Sequence, residues 1–594
     1  MAPKKKRKVG SGMDYKDDDD KMAPKKKRKV RGMQTEIEVR ADDWLINTGL
    51  TGFLNIVGKE NVRIDGQSIY FTADLLEDFE TKYFNFFIQE YKETLSWYKI
   101  VSYKETMEQF RIDEFASFDE VALGNLNKYM KDVVKFYLKK ANYIKVFPLI
   151  DPSANVTKWL EKLNTINLTK KQKWDEVKAD IIEEVKQTYT QLDLIIDFCA
   201  SEKGLQYLGA KNLIYSVINK GWSGVSFLFK QTKFIDPYLD YKTTFVDPVL
   251  EYLDTDLSKA KYNCFNCNQP IKNLKLDLSF MNDVGFDTAR KTAHVWDFNN
   301  DVATCPICRL IYSCVPAGFT YVYGEGMFVN DSYGVEELHR VNERMRNSIL
   351  RFNKDGINST NTYRALVESI TMEHENNRRY ELADIQLVRY ENEHYRFNLL
   401  SKKMLHIVND SKGILKSLIR CGYKEGNLNV NLYKEVIQHL MNNENLFTLI
   451  HKLIYYKQTS VNGLYYNMGH VSGILDINTK FLKEMEVMTN ISQNQLWFVQ
   501  NCGKEFKEGY VKKKSENKIS GITYKLLNSL KVNDKDGFMD TLLNSYSYLS
   551  MPIPDVFIKM FSNNEAFKSV GYAFMLGVGG EKTKKEDGGN TDEK

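Results

Sequence analysis

Four of the eight cysteines in this 594-residue chain stand in two matched pairs, Cys264-x-x-Cys267 and Cys305-x-x-Cys308. A Cys-x-x-Cys turn holds two sulfurs close enough to bind one ion. Two such turns complete a tetrahedron of thiolates about 2.3 Å from a zinc ion. That demand constrains the fold more than any single helix or strand, because residues 264–267 and 305–308 must then meet. The 37 residues between the pairs exceed the spacing of a compact zinc ribbon, so the loop must carry structure of its own. Four thiolates leave no open position for a substrate, and the site reads as structural. Three alternatives stay open: a redox pair, cysteines that are simply buried, and replacement of one sulfur by His294 or Cys314. Cys199 falls on an apolar helical face and reads as core.

Charge bears on what such a centre serves. The chain carries a formal net charge of +5, but residues 1–32 are set apart by their sequence. PKKKRKV occurs twice there, at Pro3–Val9 and Pro24–Val30, in the form of a nuclear-import signal, and DYKDDDDK at Asp14–Lys21 is an epitope tag. These 32 residues hold 13 of the 83 Lys and Arg and 5 of the 78 Asp and Glu, leaving 70 basic and 73 acidic groups from Met33 onward. The body is thus slightly acidic, and contact with a polyanion needs a local patch. Met33 is the expected natural start, with no secretion signal after it. No run reaches eighteen apolar residues, so no membrane partner is expected. Sparse cysteine suits a reducing, intracellular setting.

The pattern predicts an α+β multidomain chain: a mixed amino-terminal domain, a central four-cysteine zinc module and a carboxy-terminal α-helical bundle. The expected boundaries are a tag at 1–32, the mixed domain at 33–255, the zinc module at 256–334, a helical connector with an arginine face at 335–399, the bundle at 400–576 and a disordered tail at 577–594. Apolar residues from Trp174 to Cys199 recur every three or four positions, predicting one long amphipathic helix. Thr169 and Gln172 form a capping-box signature before it. A second such helix is expected over Val335–Arg351. The charged stretches Glu373-His374-Glu375 and Glu391-Asn392-Glu393-His394 are expected on helical surface.

No phosphate-binding loop GxxxxGK[ST], HExxH or GxSxG is present. No carboxylates gather in sequence as a magnesium nuclease would need, and a non-catalytic chain is expected. A metal-dependent nuclease with a zinc-ribbon accessory is the alternative.

The paired cysteines, "DDWLINTGLTGFLNIVG" (Asp42–Gly58) and "CVPAGF" (Cys314–Phe319) resemble the large subunit of the type I-B CRISPR Cascade complex, in its CXXC–CXXC subgroup. The resemblance spans 33 to about 576, and only the cysteine pairs are a sharp motif. It implies binding without chemistry: recognition of the protospacer-adjacent motif in duplex DNA, help in opening the duplex and recruitment of a helicase-nuclease. The partners it implies are a guide RNA, target DNA with its displaced strand, and the backbone, handle-capping and small subunits. It also implies internal starts at Met441 or Met468 for a small subunit, and a native cytoplasmic setting that the import signals would change to nuclear.

Candidate nucleic-acid contacts follow. Arg340, Arg344 and Arg351 share one face of the second predicted helix and can reach successive phosphates, or form a solvated face. Asn330, in a predicted turn, can read a base edge, although capping of the helix by Asn330, Asp331 or Ser332 is the favoured alternative. Lys220, Trp222 and Lys230 flank a glycine turn that can stack an unpaired base, with Trp222 in the core as the alternative. Lys512, Lys513 and Lys514 can screen a displaced strand. The resemblance alone places Asn47 and Thr48 at the RNA handle.

Overall fold

The computed structural model describes residues 36–167, 174–281, 298, 302–322, 324–331, 334–353, 363–368, 385–391, 393–487 and 491–580. It is an α+β multidomain structure with the cysteine cluster central and the carboxy-terminal region helical. Three apolar cores organise it. The first gathers Ile37–Leu95 with Ala210–Leu338, the second Ile100–Leu208, and the third Met327–Val578. These cores cut the chain differently from the sequence pattern. Residues 100–208 form a helical unit inserted into the amino-terminal part, and all four paired cysteines pack in the first core, Cys267 from its margin.

The first core starts from an antiparallel sheet in the order Ile37–Arg40, Ser68–Phe71, Arg63–Asp65. The helix Trp44–Val57 follows the first strand. Asp43 caps it, its carboxylate accepting from the backbone N–H groups of Leu45 and Ile46 at 2.6 and 3.1 Å. This helix is buried on almost every side. The long helix Trp174–Ala200 forms as its periodicity predicts, burying Ile181, Val185, Tyr189, Leu192, Ile196 and Cys199 in the second core. Its expected capping residues, Thr169 and Gln172, lie outside the described residues.

A shared wall joins the first and third cores. The strands Thr320–Val322, Glu325–Asn330, Ile385–Glu391 and His394–Leu400 form an antiparallel meander. Side chains alternate across a strand, so Phe328 and Val388 enter the first core while Met327, Val329 and Leu387 enter the third. The helix Val335–Asn353 repeats the division, with Val335 and Leu338 in the first core and Val341, Met345 and Ile349 in the third.

The helical expectation for 335–399 fails at its end, because 385–391 and 394–400 are paired strands. Glu391 does not sit on a charged helical surface. It accepts from Arg389 at 3.2 Å and from the Tyr363 hydroxyl. Arg389, only 2% exposed, also donates to Asn398, Tyr363 and Asn442. A buried guanidinium is tolerable only when its donors are satisfied in this way.

The third core holds the bundle, including the helices Leu432–Met441, Phe447–Gln458, Met468–Glu484, Gln493–Lys512, Asn517–Val532, Lys535–Leu549 and Asn564–Gly579. A small sheet of Gly422–Glu425, Leu428–Asn431 and Leu464–Tyr465, absent from the sequence expectation, interrupts it. Gly577 to Gly579, expected in the tail, end a buried helix instead. A Cβ at Gly577 would lie 1.9 Å from the Gln500 carbonyl oxygen, so the glycine lets two backbones touch.

The cores make two measurable demands. A Cβ on Gly52 would fall 2.0 Å from the Cys314 carbonyl oxygen, whereas one on Gly124 meets nothing. Gly52→Ala is expected to destabilise the protein by roughly 1–3 kcal/mol, and Gly124→Ala to stabilise it by about 0.5–1 kcal/mol. Opposite shifts in urea midpoint check this. His339, 4% exposed, faces Asn55, Glu343, Arg346, Lys59 and Glu60, and desolvation depresses its pKa to about 4. Its neutral form is stabilised by folding, so this contribution is complete above about pH 6.5 and is lost as pH falls toward 4. The loss amounts to at most about 3 kcal/mol. His339→Gln is expected to flatten the stability profile in that window.

Candidate metal centre and nucleic-acid surface

Each cysteine pair is set by local backbone chemistry. The strands Tyr262–Asn263 and Pro270–Ile271 form a short hairpin whose turn holds Cys264 and Cys267. The N–H of Asn268 donates to Cys264 O at 3.0 Å, and Asn268 itself adopts φ +58°, a conformation that asparagine tolerates better than most residues. The second pair opens the helix Pro306–Ser313. Cys305 is its N-cap, and its sulfur accepts from the Cys308 N–H at 3.4 Å. Pro306 suits the first helical position because it has no N–H to satisfy. The N–H of Phe265 donates to Ala303 O at 2.9 Å and so ties one turn to the other.

The four sulfurs converge, all lying within 4.8 Å of one another. Cys267 Sγ and Cys305 Sγ are 3.6 Å apart, close to the roughly 3.8 Å edge of a tetrahedron with about 2.3 Å zinc–sulfur bonds. Cys264, Cys305 and Cys308 are buried and Cys267 is half-buried. Hydrogen bonding from Cys267 and the other thiols pulls Cys264 well below the usual thiol range, while the same neighbours, Cys264 foremost, and burial push Cys308 well above it. Asn266 Nδ2 donates to Cys308 Sγ at 3.5 Å and Tyr312 donates to Asn266 Oδ1 at 3.3 Å, a second layer behind the sulfurs. This donor set fits one structural zinc ion, whose chemistry is to cross-link the two turns.

All eight cysteines are free thiols. Cys314 is no substitute ligand: it is buried and its sulfur donates to Leu310 O at 3.3 Å, outside the cluster. His294 lies outside the described residues.

The centre is bound tightly to the rest of the first core. Ser313, at the end of the cysteine helix, receives three aromatic donors or partners. Tyr83 Oη and Trp222 Nε1 donate to its carbonyl at 3.2 and 2.9 Å, and Tyr241 Oη lies 2.7 Å from its hydroxyl. The following helix, Val315–Gly318, rests on Trp44–Val57, where a Cβ on Gly318 would come within 2.0 Å of Thr48 O.

These contacts revise several nucleic-acid candidates. Asn47 is 3% exposed and bonds to the backbone of Asp42 and to Asn330, and Thr48 is fully buried, donating to Trp44 O at 2.6 Å. Trp222 is fully buried. None of these three side chains faces solvent, so their expected RNA or base contacts are withdrawn. Asn330 ends a strand rather than a turn, and its amide accepts from Asn47 and donates to Gln386, each at 2.9 Å. Lys220 is half-buried with its ammonium 5.0 Å from the Tyr321 ring, and desolvation lowers its pKa.

Other candidates reach solvent. Arg340 and Arg344 are partly exposed on Val335–Asn353, while the Arg351 side chain lies outside the described residues. Lys230, Lys512, Lys513 and Lys514 are exposed. Lys513 donates to Tyr548 O at 2.6 Å and stands 5.1 Å from its ring. Sequence reasoning missed Asn266, Tyr312 and Asn268. The asparagine just after the second cysteine was the available signal, marking a left-handed turn.

Residues 257–320, which contain both cysteine pairs, match the family model described as CRISPR-associated protein (Cas_CXXC_CXXC). This supports a CRISPR-associated protein of the CXXC–CXXC type. Searches of curated proteins and of solved structures return no match. No helix among the described residues is long and apolar enough to cross a membrane.

Cys264→Ser or Cys305→Ser is expected to lose about one equivalent of zinc and to lower stability by several kcal/mol, because binding energy at such a site is folding energy. Cys314→Ser is expected to keep its zinc. Elemental analysis with thermal unfolding reads both, and reduced parent protein without zinc would remove the site.

Proposed function

We propose that the chain is the large, non-catalytic subunit of a type I-B CRISPR RNA-guided surveillance complex of the Cascade kind, acting in antiviral defence. The observation that carries this reading is the meeting of both cysteine pairs at one point, inside the segment that matches the CXXC–CXXC family. Such a subunit sits beside the handle of the guide RNA, recognises the protospacer-adjacent motif in duplex DNA, helps to open it and recruits the helicase-nuclease. Its partners are the guide RNA, the target duplex with its displaced strand, and the backbone, handle-capping and small subunits. It works in the cytoplasm of its native prokaryote, and the two import signals direct it to a nucleus.

Physical support comes from stiffness and local charge. A protein that reads a short motif while base pairing reads the rest needs a fixed surface, and four thiolates around one ion provide a rigid anchor. In a slightly acidic body, contact with phosphates falls to particular cations. Arg340, Arg344, Lys230, Lys512, Lys513 and Lys514 are the proposed contacts, and Asn330 is withdrawn to a supporting amide ladder.

Target binding measured with guide RNA and all partner subunits tests the proposal. At least tenfold preference for a duplex with the correct adjacent motif, lost when this chain is omitted, is expected. Arg344→Ala is expected to weaken binding on every sequence and to reduce the salt slope by about one. Magnesium-dependent cleavage by the chain alone, abolished by one carboxylate substitution, would replace this reading with the nuclease alternative.

A further inference from the structure

The inserted helical unit carries a concentration of charge that the centre described above does not use. Residues 128–145 contain six lysines and one acid, Asp132, although the body from Met33 is net acidic. The helix Glu120–Lys128 runs on through a wider turn, Tyr129–Lys135, into Phe136–Leu138. Leu123, Leu126, Met130, Val134 and Leu138 point into the second core. That spacing turns the lysines outward: Lys128, Lys131, Lys139, Lys140 and Lys145 are exposed, and Lys135 is half-buried.

Two features separate this face from an ordinary solvated one. First, none of the six lysines pairs with a carboxylate among the described residues. On another side of the same core Lys104 pairs with Asp197, and Arg111 with Glu108 and Asp193. Lys135 instead donates to the Leu163 carbonyl oxygen and has Lys139 as a like-charged neighbour. Burial and then Lys139 depress the Lys135 ammonium. Like charges so placed repel, and a polyanion relieves that cost. Second, Phe136 stands among them 56% exposed, with the Lys140 ammonium 4.3 Å from its ring and 5.0 Å from that of Tyr137. The core has no use for this ring.

We infer that the lysine face of residues 128–145 binds single-stranded nucleic acid, with the lysines on successive phosphates and Phe136 stacked on an unpaired base. Helical lysines three or four residues apart recur about every 5.4 Å along the axis and can follow a backbone. The exposed ring selects a single strand over a duplex, because only an unpaired base offers a face to stack on. An acidic protein surface would satisfy the lysines but leave the ring unused. The inference rests on local charge and exposure, not on the complex proposed above.

Photocrosslinking of the full chain to a 20-nucleotide oligonucleotide carrying 4-thiouridine, mapped by mass spectrometry, tests it. The expected result is a crosslinked peptide within 128–145, centred on Phe136 or Tyr137. The yield should fall at least tenfold in Lys139→Glu/Lys140→Glu and about fivefold or more in Phe136→Ala, with unfolding midpoints unchanged. A fully paired duplex of the same length should label this peptide weakly. Crosslinks confined to residues 1–32 or to other surfaces overturn the inference. So does sedimentation with anionic vesicles that depends on Phe136 while the peptide stays unlabelled, which would assign the face to a membrane. Because isolated oligonucleotide suffices, failure here leaves motif-dependent binding by the whole complex untouched, and the reverse also holds.

Discussion

The close seating of the helix Trp44–Val57 on the helices that follow Cys305 underlies the architecture. Gly52 and Gly318 remove the side chains that would hold those backbones apart, with carbonyl oxygens where their Cβ atoms would be. Dense contact of this kind gains much dispersion energy in little volume. Around it, Tyr83, Trp222 and Tyr241 converge on Ser313 and fix the end of the cysteine helix. The four-cysteine cluster is therefore one corner of the first core and not a module on a tether. A perturbation at the sulfurs reaches the amino-terminal sheet through packed groups alone.

The meander of four strands gives the molecule its second constraint. Its two inner strands, Glu325–Asn330 and Ile385–Glu391, are buried on both faces, one in each neighbouring core, whereas His394–Leu400 at the edge is largely exposed. The helix Val335–Asn353 straddles the same divide. Sheets covered on both sides are usually apolar throughout. Here Arg389 and Glu391 lie inside, acceptable because Tyr363, Asn398 and Asn442 complete their hydrogen bonds. Removal of one member leaves a buried charge without its partner, the costliest kind of defect in a protein interior.

How far the sequence revealed this depended on which physical signal a segment carries. Helices Trp174–Ala200 and Val335–Asn353 were legible because their apolar residues keep a helical period over several turns. The cysteine cluster was legible because its spacing has a specific chemical meaning. The hairpin 385–400 was not, since Arg389, Glu391, Glu393, His394 and Arg396 mask the alternation of a strand. The end of the last helix was misjudged because a glycine run looks like a breaker, although Gly577 serves close contact. Asn47, Thr48 and Trp222 showed a second limit: residue type suggests what a side chain can bind, not whether it reaches solvent. The lysines of 128–145 were visible in composition, but only the structure showed them beside an exposed ring and without a carboxylate partner among the described residues.

The way the bundle shares its interior bears on any shorter product of the same reading frame. The helix Phe447–Gln458 packs against both Met468–Glu484 and Asn564–Gly579, and Leu449, Ile450, Leu453 and Ile454 fill the space between. A polypeptide begun at Met468 would keep the two receiving helices and lose what occupies their groove. It would be born with an open apolar seam, and its persistence in a cell would depend on how quickly another surface closes it.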